Sequence, residues 1–182
     1  MINVYTGELV RLRPFASMDE GLALAREMHL GLIPGWGEQW TPLHEISRMW
    51  QPDGWMGDEV TFAVERLDSG ELVGYENAQP PEPPRLRGMV STYIRAEHRG
   101  RGFGVEAKRL AMRFLFEHYP LNCVEAITLS VHEKALRGLQ LCGMREEGRL
   151  VGCTVSEGQW VDKVFFTLTR EEWEARSAGV AT

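Results

Sequence analysis

From His98 to Leu110 the chain reads HRGRGFGVEAKRL, with Gly100, Gly102 and Gly104 at alternate positions just ahead of a helical run. A glycine has no Cβ, so its backbone can approach a ligand closely and adopt positive φ. The first N–H groups of a helix lack intrahelical acceptors, and the helix dipole favours an anion beside them. A pyrophosphate suits both conditions, and Arg99 and Arg101 could add charge-assisted donors from the flanks. The plainer reading is a turn. Among phosphate-binding patterns, GxxxxGK[ST] fails because no Lys-Ser or Lys-Thr follows the glycines. GxGxxG fails because Val105 stands where its last glycine belongs. The pattern [QR]xxGx[GA] is met by Arg99, Gly102 and Gly104.

The elements around the loop are consistent with a ligand cradle. RGMVSTYIR reads as a strand entering it, and the helix leaving it carries Ala107, Leu110, Ala111 and Phe114 on one face. Glu106, Lys108, Arg109, Arg113 and Glu117 fall on the opposite face, expected to meet solvent. VEAITLSV, Val124 to Val131, reads as the next strand, followed by a short helix ending at Gly143. Upstream, ELVRLRPF begins as a strand, and SMDEGLALAREMHL as a helix with Ser17 as N-cap and Glu20 at the capping-box position. VTFAVERL and ELVGYENA form a hairpin about the DSG turn, and QPPEPP must be a loop because proline cannot continue a central strand. Two late strands surround SEG, and REEWEA adds a terminal helical turn. The order is mixed α+β rather than regular βαβ alternation.

Composition narrows the function classes. With 182 residues and 43% hydrophobic content the chain suits one domain, and no apolar run is long enough to span a membrane. A net charge of -6 argues against general nucleic-acid or anionic-membrane binding. Cys123, Cys142 and Cys153 form no CxxC pair, and the five histidines form no HExxH, so no metal is expected. The N-terminus, MINVYTGELVRLRPF, lacks the layout of a secretory signal, so the expected location is cytoplasmic.

EHRGRGFGVEAKRL resembles the acyl-CoA pyrophosphate loop of the GCN5-related N-acetyltransferase (GNAT) superfamily. LVRLRPF, LQLCGMREEGRLVG and QWVDKVFFTLTREEW resemble segments of its ribosomal-protein-alanine acetyltransferase (RimJ/RimL) branch, so the likeness runs from about residue 7 to 173. The resemblance implies a single N-acetyltransferase domain over residues 1–182. Its fold would be α+β: a mixed, mostly antiparallel central sheet with a splayed strand pair and flanking helices. It implies acetyl-CoA as co-substrate and a primary amine, on a small molecule or a protein N-terminus, as acceptor. Attack would be direct, in a ternary complex without a covalent enzyme intermediate. An acyl-CoA-binding module without turnover, or an acyltransferase for longer chains, are the alternatives. Dimers are common in the family, so the resemblance admits a homodimer.

Carried over by position, Thr92, Tyr93 and Ile94 contact the pantetheine arm, and the Thr92 main-chain N–H donates to the thioester oxygen. The amides of Arg99, Gly100, Arg101, Gly102, Phe103, Gly104 and Val105 hold the diphosphate. His132 stands where many members place a pantetheine-binding asparagine, with a helix-starting structural role as the other reading. The usual tyrosine acid aligns with Leu139 and the histone-type glutamate base with Gly88, and neither residue can do that chemistry. Glu76, beside the cofactor strand, is a substitute proton acceptor, directly or through water, or else a surface carboxylate. Ser91, Tyr93 and Cys142 are substitute proton donors to the departing thiolate. Trp36, Trp40, Trp50 and Trp55, with Glu38, Glu45 and Asp53, could wall a site for a cationic amine, or simply pack onto the sheet.

Overall fold

The computed structural model describes residues 5–27, 60–81 and 86–179. The expected opening strand is two short ones, β1 (Tyr5–Thr6) and β2 (Val10–Arg13), separated by a turn at Gly7. Helix α1 (Met18–Glu27) starts as its sequence requires: the Glu20 N–H donates to Ser17 Oγ at 3.2 Å, and the Glu20 carboxylate accepts the Ala16 N–H at 2.7 Å. Strands β3 (Val60–Arg66) and β4 (Leu72–Gln79) form the hairpin, turning through Gly70 at φ 72°. β5 (Arg87–Ile94) leads through one 3-10 turn, Ala96–His98, to helix α2 (Phe103–His118). Then come β6 (Cys123–Leu129), α3 (Glu133–Leu141), β7 (Arg145–Ser156), β8 (Gln159–Thr169) and α4 (Arg170–Gly179).

The eight strands form one sheet in the order β1-β2-β3-β4-β5-β6-β8-β7. All neighbours are antiparallel except β5 and β6, which are parallel because α2 carries the chain back across the sheet. That parallel pairing covers only Arg87↔Cys123, Gly88↔Val124 and Met89↔Glu125. From Val90 onward β5 follows β4 instead, with pairing as far as Gly74↔Ile94. The sheet therefore forks along its middle, as a splayed strand pair requires.

One face of the fork lies under α2. Val90 and Ile94 of β5 join Phe62, Ala107, Ala111 and Phe114 in the main core. Tyr93, of opposite parity on the strand, joins Phe15, Leu24 and Ala63 in a second cluster. Burial of each large side chain there contributes roughly 1.5–3 kcal/mol. Burial of α2 extends to Met112, Leu115 and Phe116, and Trp173 of α4 covers Phe116, stacked at 5.0 Å between centroids. The tail is accordingly a ten-residue helix rather than one turn.

The expected solvent face of α2 needs correction at two positions. The Glu106 carboxylate accepts the N–H groups of Glu8, Leu9 and Val10, each at 2.7 Å, and so closes the β1–β2 turn. Lys108 turns onto β5 and donates from Nζ to Thr92 Oγ1. Helical periodicity marks both as outward, but at the mouth of the fork a neighbouring strand faces that side too.

Candidate active site

Main-chain hydrogen bonding along β5 decides which groups face the fork. The Arg95 N–H donates to the Val73 carbonyl at 2.9 Å, in register with the Gly74↔Ile94 pair. In an antiparallel ladder such bonded positions alternate. Tyr93 and Ser91 therefore spend their main-chain groups on β4, while those of Thr92 and Ile94 point toward the gap left by β6. Thr92 and Ile94 are thus presented at the fork by their backbone. Tyr93 is not: its ring is buried on the far face beside Tyr75, at 5.7 Å. Burial, with Glu27 nearby, holds the Tyr93 phenol above its ordinary pKa.

The loop after β5 is built by its own geometry. Gly100 and Gly102 sit at φ 77° and 89°, in the left-handed region that favours glycine. Gly104 serves another purpose: a Cβ there would lie 3.2 Å from Ile94 Cγ1 and 3.7 Å from Thr92 Cγ2, so its absence lets α2 rest on β5. All three glycines have reasons internal to the fold. His98 braces the loop from beneath, buried against Phe103 with Nε2 3.2 Å from Glu71 Oε1.

The helix that follows has no side-chain cap on its first turn. The Arg99 N–H reaches the Ala96 carbonyl and the Val105 N–H reaches the Gly102 carbonyl, at 3.3 and 3.1 Å. Among the described residues, the N–H groups from Gly100 to Gly104 have no main-chain acceptor, leaving donors beside the positive end of a sixteen-residue helix. The free run is therefore shorter than the expected Arg99–Val105 cradle by one amide at each end. Phe103 presents no side chain to the loop surface, since its ring is buried with Arg66 stacked over it at 5.4 Å. The Arg99 guanidinium is partly committed, donating from Nε to the Ile94 carbonyl at 2.8 Å and lying over Tyr93. Arg101 is exposed at the loop.

The expectations for proton-carrying groups change more. Glu76 is not a surface carboxylate: it is 0% exposed, opposite Thr92 in the ladder, beneath α2. Burial raises its pKa to about 7, opposed by the Lys108 charge and the Thr92 hydroxyl. Cys142, at the end of α3, is also buried, its thiol donating to the Val105 carbonyl at 3.5 Å. Burial pushes that thiol up to about 11 against the pull of Lys108 and Arg109. Leu139 is buried one helical turn before it. A Cβ on Gly88 already lies 3.1 Å from the Gln79 carbonyl and from Leu121, so no carboxylate fits there. His132 stands at the N-cap of α3, half-buried, with no side-chain cap bond; its carbonyl accepts the N–H groups of Ala135 and Leu136. Trp36, Glu38, Trp40, Glu45, Trp50, Asp53 and Trp55 lie outside the described residues. Lys108, which the sequence does not single out for the site, lies at the fork on Thr92. A basic residue four positions after Gly104, on the same helix face, was the available signal.

The forked strand pair, the glycine loop and the amides at the fork all lie within residues 10–145, the stretch that matches the family described as acetyltransferase (GNAT) domain. The chain belongs to the GNAT acetyltransferase family. The SPbeta prophage-derived uncharacterized N-acetyltransferase YokL of Bacillus subtilis is 26% identical over 129 residues, covering 70% of this chain and 71% of YokL. Among solved structures, Mycobacterium smegmatis RimJ in complex with CoA-disulfide has a TM-score of 0.72 at 22% identity, covering 94% of this chain and 86% of that one. Spermidine N-acetyltransferase from Vibrio cholerae, solved with CoA and spermine, has a TM-score of 0.76 at 20% identity, covering 91% and 98%. The neighbours thus include a member of the RimJ/RimL branch that the sequence resembles.

The acetyltransferase has no group of three or more His, Cys, Asp or Glu able to hold a metal among its described residues. Nor, among those residues, is any helix long and apolar enough to cross a membrane.

Proposed function

We propose that this acetyltransferase moves an acetyl group from acetyl-CoA to a primary amine, on a small molecule or a protein N-terminus, by direct attack in a ternary complex. The observation that carries the reading is the conjunction at the fork. The main-chain groups of Thr92 and the Ile94 N–H, turned away from β4 toward the gap, adjoin amides at the start of α2 that have no main-chain acceptor among the described residues. An amide-rich arm ending in a diphosphate complements both. The Thr92 N–H would donate to the thioester oxygen, where charge develops as the amine adds. Tyr93 would contribute backbone context rather than its hydroxyl, and Ile94 a main-chain contact. Amides from Gly100 to Gly104, with Arg101 and the outer part of Arg99, would hold the diphosphate, and His132 would flank the arm from α3.

The amine must lose a proton as it attacks. Because Glu76 is fully buried, the route to it would pass through the Thr92 hydroxyl, which faces its carboxyl. Water is the other acceptor. The protein is expected to work in the cytoplasm, without metal, and to tolerate a homodimeric state.

Calorimetric titration of acetyl-CoA, CoA and ATP into the wild type and Arg101→Ala tests the reading. Saturable binding of both CoA species, weakened in the variant and absent for ATP, supports it; a panel of amines, including spermidine and N-terminal peptides, then finds the acceptor. No binding of acetyl-CoA by the wild type overturns it.

A further inference from the structure

With leucine at the position of the usual acid, something else must receive the negative charge that develops on sulfur. The observations converge on α2. Lys108 lies one turn beyond Gly104 and donates from Nζ to Thr92 Oγ1. Thr92 is half-buried on the β5 segment that has left β6, three residues past the last paired position. Below Thr92 lies Glu76, fully buried, with neither carboxylate oxygen in a good hydrogen bond. Among the described residues, the surroundings of this carboxyl contribute one cation from α2, the Lys108 ammonium, the Thr92 hydroxyl from β5 and the Cys142 thiol from α3. Phe62 faces it from β3. The Cys142 thiol is committed to the Val105 carbonyl, and burial makes it a poor proton donor.

We propose that Lys108, held at Thr92 and balanced from below by Glu76, is the positive charge that stabilises the departing CoA thiolate. The inference rests on the acetyl-CoA reading above. A thioester whose oxygen lies at the Thr92 N–H carries its sulfur on the same carbon, so the sulfur sits next to the residue that Lys108 grips. When the tetrahedral intermediate collapses, the new C–N bond is retained, the C–S bond breaks and its electron pair goes to sulfur. The proton lost by the amine passes to Glu76 through Thr92, or to water. CoA leaves as the thiolate paired with Lys108, or takes a proton from solvent on release. When Glu76 is that acceptor, its protonation removes the buried counter-charge, so the field of Lys108 on sulfur is greatest as the thiolate forms. Lys108 acts through space and through Thr92, as a positioning and electrostatic residue.

The test needs no acceptor amine. The thiol of bound CoA is titrated by thiolate ultraviolet absorbance, with the desulfo-CoA complex as blank. A unit positive charge within about 6 Å lowers a neighbouring acid by roughly 1–3 pKa units. In the wild type the bound thiol should therefore be at least about tenfold more acidic than free CoA. Lys108→Arg should keep the shift, Lys108→Met should lose it, and Glu76→Gln should enlarge it by removing the counter-charge. Should Lys108→Met fail to fold around an uncompensated Glu76, the double variant Lys108→Met/Glu76→Gln reads the same loss. A bound thiol that titrates like free CoA, or a shift that survives in the double variant, overturns this inference while leaving the acetyl-CoA reading intact. Failure of CoA to bind the wild type overturns both.

Discussion

The Cβ that Gly104 lacks would lie 3.2 Å from Ile94 Cγ1, so the first turn of α2 rests directly on the last residue of β5. That contact sets the distance between the open amides of the helix and the open main chain of the strand. A Gly104→Val substitution should lift the helix start and weaken CoA binding by at least about tenfold. Gly104→Ala, which needs a shift of only a few tenths of an ångström, should cost much less. Calorimetry on the two variants checks the order.

Gly102 is a less clean probe of ligand binding. At φ 89° it occupies the left-handed region, where a side chain costs roughly 1–2 kcal/mol. Gly102→Ala should lower stability by about 1 kcal/mol, readable as a shift in urea midpoint, whatever it does to CoA. Arg101→Ala, at an exposed position, should leave the midpoint within about 0.5 kcal/mol of wild type.

Glu76 should give the folded protein a pH dependence with a definite sign. Its pKa is raised by burial from 4.5 to about 7, so the native state binds this proton more tightly than the unfolded chain. The stability it contributes is fully present below its unfolded pKa and is lost as pH rises through about 7. A shift of that size corresponds to about 3 kcal/mol at most. Urea midpoints from pH 5 to 8 should fall for the wild type and stay flatter for Glu76→Gln.

Glu106 holds the β1–β2 turn by accepting three main-chain donors, and a Cβ on Gly7 would overlap its carboxylate. Glu106→Ala leaves those donors to water or unpaired, and should destabilise the protein by about 2 kcal/mol. Thermal unfolding checks it. Equal stability would mean that solvent replaces the carboxylate without loss.

The three cysteines should separate by reactivity. Cys153 is exposed, whereas Cys123 and Cys142 are buried and the Cys142 thiol is pushed up to about 11. Iodoacetamide at pH 8 should label Cys153 alone in the native protein, read by mass spectrometry, and CoA binding should survive the modification. Rapid native labelling of Cys142 would contradict its burial.

Periodicity and turn chemistry, which are local, were legible in the sequence. Ser17 and Glu20 announce the start of α1, Gly70 the hairpin turn, Gly143 the end of α3, and the spacing of Arg99, Gly102 and Gly104 the loop. Each depends on interactions within a few residues, so it survives without knowledge of the fold. The family likeness, and with it the forked sheet, came from these local patterns in order. Pairing across the chain was not legible. That Glu76 lies in full burial opposite Thr92 depends on the β4–β5 register and on α2 crossing above it. That Glu106 and Lys108 turn inward depends on β1, β2 and β5 lying beside a helix face that periodicity alone assigns to solvent. Sequence determined which residues could carry charge and where the chain must turn. Tertiary structure decided which charges meet, because burial and proximity across the sheet fix their ionisation and partners.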